Sequence, residues 1–66
     1  MRNYDAAIAD YDEALRLDGK KATAFFGRGI AKIRSGSRAE GDADIAEAIK
    51  LDPQVAEKMA KLGIAP

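Results

Sequence analysis

The chain has 66 residues, a formal net charge of zero from eleven basic and eleven acidic side chains, and neither cysteine nor histidine. That allows one small domain and excludes disulfide staples, thiolate or imidazole metal sites and the commonest nucleophile–base pairs, so no enzyme and no cofactor is expected. Lys20, Lys21, Arg34 and Arg38 are scattered among acids, against nucleic-acid binding; no apolar run nears the roughly 20 residues of a membrane span, and no secretory signal opens the chain, which favours a cytoplasmic setting.

Asn3 is placed to N-cap a first helix, predicted over 4–17. Its apolar stripe is Tyr4, Ala7, Ile8, Tyr11, Ala14 and Leu15, at three- and four-residue steps, with Asp5, Asp12, Glu13 and Arg16 off it. Gly19 marks the stop. A second helix over 22–34 carries Phe25, Phe26, Ile30 and Ile33 and ends at Ser35-Gly36. Ser37-Arg38-Ala39-Glu40 has capping-box spacing and opens a third helix over 38–51, with Ile45, Ala48, Ile49 and Leu51. Asp52-Pro53 reads as an N-cap followed by a first-turn proline, opening a fourth helix over 54–63 through Met59 and Leu62. The short connections predict antiparallel neighbours, hence an all-α stack of helical hairpins.

Shifting the sequence by 34 places gives ten identities among the 32 pairs of residues 1–32 with 35–66. They include Asp10/Asp44, Ala14/Ala48, Leu17-Asp18/Leu51-Asp52 and Gly29-Ile30-Ala31/Gly63-Ile64-Ala65. The helix signals repeat in the same register, Asn3 with Ser37.

With this period and these helices, the sequence resembles the tetratricopeptide (TPR) family. The second-helix pattern of that repeat falls on Tyr4, Ala7, Tyr11, Ala14 and Asp18-Gly19, and in the next unit on Arg38, Gly41, Ile45, Ala48 and Asp52-Pro53. Phe25 with Gly29, and more weakly Met59 with Gly63, match the first-helix pattern, and Gly36 matches the inter-helix glycine. Gly19, Lys32, Arg38 and Gly41 depart from it. The resemblance implies a short TPR-type α-solenoid of about four helices. Residues 1–66 would form one domain: the second helix of one repeat (4–17), a full repeat (22–52) and the first helix of a third (54–63). They would be the C-terminal portion of a longer array, with 63–66 unable to begin another helix.

The resemblance also implies a protein or peptide partner held on a concave face, here Thr23, Phe26, Ile30, Ile33 and Arg34, extended by Glu57 and Ala60. Phe25 is taken as the core aromatic. Phe26 either anchors a ligand or packs under a neighbouring hairpin. Since Phe26 and Ile30 stand at positions where carboxylate-gripping relatives carry polar groups, an apolar or amphipathic segment is the expected ligand. Ala14, Ala48 and Gly29 allow close helix approach, and Pro53 sets the last corner. Arg28-Gly29 with Asp10 and Asp44 resembles a bacterial-type variant of the repeat, in which Arg28 pairs with Asp10 or Asp44. The remaining acids lack the glycine-turn loop of a calcium site, and Gly27-Arg28-Gly29 has no preceding strand to make a phosphate loop. Finally, Tyr4, Ile8, Tyr11 and Leu15 give the first helix more apolar surface than one following helix covers. A homodimer through that helix is therefore the alternative to a foreign ligand.

Overall fold

The computed structural model describes residues 3–63 and consists of four helices: α1 (Tyr4–Leu17), α2 (Ala22–Arg34), α3 (Arg38–Leu51) and α4 (Val55–Lys61). The Asn3 side chain accepts from the Ala6 N–H at 3.0 Å, which starts α1. Ser37 behaves differently, since its hydroxyl makes no cap bond to α3. Its backbone is committed to closing α2. The Ser37 N–H donates to the Lys32 carbonyl at 2.8 Å and the Gly36 N–H to that of Ile33 at 3.1 Å. These two bonds need a left-handed residue between helix and loop, and Gly36 supplies it at φ 103°. The capping box expected at Ser37–Glu40 therefore gives way to a glycine-closed end of α2.

The internal repeat reappears as geometry. Asp18 and Asp52 terminate α1 and α3 in nearly the same extended conformation, φ/ψ −143/95 and −146/100. Each carboxylate accepts from the N–H two residues on, Lys20 at 3.1 Å and Gln54 at 3.0 Å. The same Leu-Asp corner is thus built twice, once with Gly19 and once with Pro53 after the aspartate. Because Asp52 makes this corner, Pro53 and Gln54 form a turn and α4 begins at Val55, not at 54. At its far end Leu62 and Gly63 turn, with Gly63 at φ 84°, so α4 is shorter than the 54–63 expected. The repeat matches at Ile64 and Ala65, and the chain end to Pro66, lie outside the described residues.

α2 is the central element and packs on α1, α3 and α4. Its closest approach is to α3, at Gly29 and Gly41. A Cβ on Gly29 would lie 2.6 Å from the Gly41 carbonyl oxygen and 2.7 Å from Ile45 Cγ1, and one on Gly41 would meet the Gly29 carbonyl. Two backbones meet where side chains would otherwise stand, so Gly41 extends the role that the sequence assigns to Gly29. The core cluster is Phe26, Ile30, Ala48, Val55 and Met59, joining α2, α3 and α4.

Phe26 takes the second of its two expected places, packed under a neighbouring helix, while Phe25 leaves the core position expected for it. Phe26, only 2% exposed, fills the core, whereas Phe25 packs at its margin. α4 is the cause: Val55 and Met59 are buried in the same cluster and cover the face of α2 that carries Phe26 and Ile30. Phe25 lies under Arg28, whose guanidinium carbon is 5.4 Å from the ring centroid.

Candidate functional site

Two features on α2 decide what the surface offers. The first is an ion-pair network that ties three helices together. Arg28 forks onto Asp44 of α3, donating from Nε to Oδ2 at 2.8 Å and from Nη2 to Oδ1 at 3.0 Å. Its Nη1 donates to Asp12 of α1 at 2.6 Å, and Lys32, one turn along α2, reaches Asp44 Oδ2 at 3.0 Å. Asp44 is thus the aspartate that Arg28 takes from the expected pair, and on α1 the partner is Asp12, not Asp10. Helix rotation explains the choice: Asp12 lies on the side of α1 turned toward Arg28, whereas Asp10, two residues away, is exposed. Burial alone would raise the Asp44 carboxyl; the hydrogen bonds from Arg28 and Lys32 overcome it and hold the group below the usual carboxylate range. The Asp44 hydrogen bond chiefly raises the already high pKa of Arg28.

The second feature is a groove of about 180 Å³ between α1 and α2. Tyr4, Ala7 and Tyr11 form one wall, and Gly27, Ile30, Ala31 and Arg34 the other. The Tyr11 ring lies against the Cα of Gly27, in the space a Cβ there would occupy. Ile30 and Arg34 from the expected ligand face therefore meet Tyr4 and Tyr11 from the expected self-association face in one depression. Ile8 and Leu15 are half-buried on α1, Thr23 and Ile33 half-buried on α2, and Glu57 and Ala60 exposed on α4. Phe26 and Ile30 are too deeply buried to stand out as exposed anchors, although Ile30 still contributes to the groove wall.

Ala7, Gly27 and Ala31 also belong to this surface, outside both of the faces expected from the sequence. Their signal was present: Gly27 and Ala31 are small residues one turn apart on α2, which lets the Tyr11 ring approach and leaves a furrow beside it. Among the described residues, no group of His, Cys, Asp or Glu side chains is placed to hold a metal ion, and no helix is long and apolar enough to cross a membrane.

The helical hairpins, their 34-residue register and the twice-built Asp corner define a helical-repeat protein. The family model of the TPR repeat matches residues 3–36, spanning α1, α2 and the corner between them. The chain belongs to the tetratricopeptide repeat family, a class of generally non-catalytic repeats that mediate contacts between proteins. Comparison with curated proteins and with solved structures gives no match.

Proposed function

We propose that this chain is a protein-docking module that holds an apolar or amphipathic helix in the groove between α1 and α2. One observation carries the reading. α3 buries Gly41, Asp44 and Ala48, whereas α1 buries no residue at all. The positions of α1 in the same register are Ala7, Asp10 and Ala14, of which Ala7 and Ala14 are half-open and Asp10 exposed. In α3 this face receives a helix, α2; in α1 it is open beside an apolar groove. Helix-in-groove recognition uses this combination of a furrow and an apolar stripe.

The test is a binding titration of the chain with an amphipathic helical peptide carrying one Leu/Ala stripe, read by fluorescence anisotropy. Tyr11→Lys places a charge against the furrow and is expected to abolish binding, while Glu57→Lys on α4 leaves it unchanged. Equal binding by both variants would move the docking face elsewhere. A second reading rests on Tyr4 and Tyr11, which line the same groove: two copies would cover it mutually. In that case the molar mass by light scattering doubles with concentration and Tyr11→Lys restores the monomer.

A further inference from the structure

The corner that is built twice differs between its copies at the one position that decides its chemistry. Asp18 and Asp52 share an extended backbone, and each carboxylate accepts from the N–H two residues on. Between the aspartate and that donor stands Gly19 in the first corner and Pro53 in the second. Such a bond lays the carboxyl group alongside the intervening peptide nitrogen. At Pro53 that nitrogen carries no hydrogen. At Gly19 it does, and among the described residues this N–H donates to no backbone carbonyl. Gly19 has no side chain to crowd the approach, and Asp18, Gly19 and Lys20 are all exposed.

We infer that the Asp18–Gly19 bond is a site of spontaneous covalent modification, where aspartate isomerises to isoaspartate and opens the corner between α1 and α2. The Gly19 nitrogen attacks Cγ of Asp18 and gives up its proton, and one carboxyl oxygen leaves as water, closing a cyclic imide. Water then adds to the former main-chain carbonyl carbon of Asp18 and breaks its bond to the Gly19 nitrogen. The chain now runs through Cγ, and the old carbonyl is a free carboxylate. Mass is unchanged, and water is the only co-reactant. Asp5, Asp10, Asp12, Asp42 and Asp44 sit in helical backbone of α1 and α3, each followed by a residue with a side chain.

The consequence is local. Asp18 holds the approach to α2 through its carboxylate, on the Lys20 N–H at 3.1 Å, and its carbonyl, on the Lys21 N–H at 3.3 Å. Isomerisation converts both acceptors and adds a methylene carbon to the backbone. α1 then rests on α2 through Tyr11 against Gly27 and the Arg28–Asp12 pair. The cluster of Phe26, Ile30, Ala48, Val55 and Met59 is untouched.

The test is incubation of the full chain at physiological temperature and neutral pH, followed by trypsin, which releases Asp18 in peptide 17–20 and Asp52 in peptide 51–58. Both are resolved chromatographically against synthetic aspartyl and isoaspartyl standards. Isoaspartate should grow in 17–20 and be absent from 51–58. Gly19→Pro, which gives the first corner the residue of the second, should abolish it and keep the fold, because the Asp18 backbone already suits a following proline. No isoaspartate in the folded parent, or as much in Gly19→Pro, would overturn the inference. Formation only in the urea-unfolded chain would show that the corner protects the bond, and overturns it too. The isoaspartyl form, once separated, should show ¹⁵N amide shifts displaced at 15–21 and retained at Val55 and Met59. An unchanged spectrum at 15–21 would contradict the opening of the corner.

Discussion

Asp44 keeps its charge where burial opposes it, because three donors from two side chains of α2 converge on its two oxygens. The attraction is worth more here than at the surface, since the Arg28, Lys32 and Asp44 side chains are only 19, 20 and 11% exposed. Removing Asp44 leaves two cations without their acceptor. Asp44→Asn is expected to cost about 1–3 kcal/mol, and a double-mutant cycle with Arg28→Ala should show most of that as coupling. The Arg28–Asp12 pair, with its aspartate 55% exposed, should couple by less than about 1 kcal/mol. Zero coupling to Asp44 in urea denaturation would contradict the three-helix tie. The network also sets an acid limit. The folded-state pKa of Asp44 is depressed, so its contribution is fully present above the ordinary aspartate value of about 3.9 and is lost as pH falls through the lower folded value. Asp52, held down by Lys58 and by the Gln54 N–H, acts in the same sense. Melting temperature should therefore hold from neutral pH to about pH 4 and fall below it, and Asp44→Asn should flatten that fall.

At the scale of the helices, the glycines are the decisive residues. Gly29 and Gly41 face each other, so Gly29→Leu should overpack the α2–α3 crossing at a cost of about 1–3 kcal/mol. An unchanged thermal melt would show that the crossing lies elsewhere. Gly36→Ala forces a Cβ onto a left-handed backbone and should cost roughly 1 kcal/mol. The helices themselves were readable because apolar spacing and end signals agree: Asn3, Gly36 and the Leu-Asp corners mark boundaries that the structure respects. What sequence could not resolve was rotation. Phe25 and Phe26 differ by one residue and about 100° around the helix, and only the position of α4 decides which of them is covered. The same ambiguity separates Asp10 from Asp12. Ser37 does not cap α3 because the end of α2 claims its backbone, a competition that a capping pattern does not reveal.

The whole molecule is asymmetric in a way that its repetition makes visible. α3 and α1 share a register, yet one is covered by a helix and the other is open on the corresponding face. Docking on α1 depends on that difference, because the open face borders the groove. The most direct test is residue-resolved. A ¹⁵N-labelled chain titrated with the amphipathic peptide should show amide shifts concentrated at Tyr4, Ala7, Asp10, Tyr11 and Ala14, with Ile30 and Ala31 following across the groove. Shifts confined to α3 and α4, or none at saturating peptide, would contradict the account.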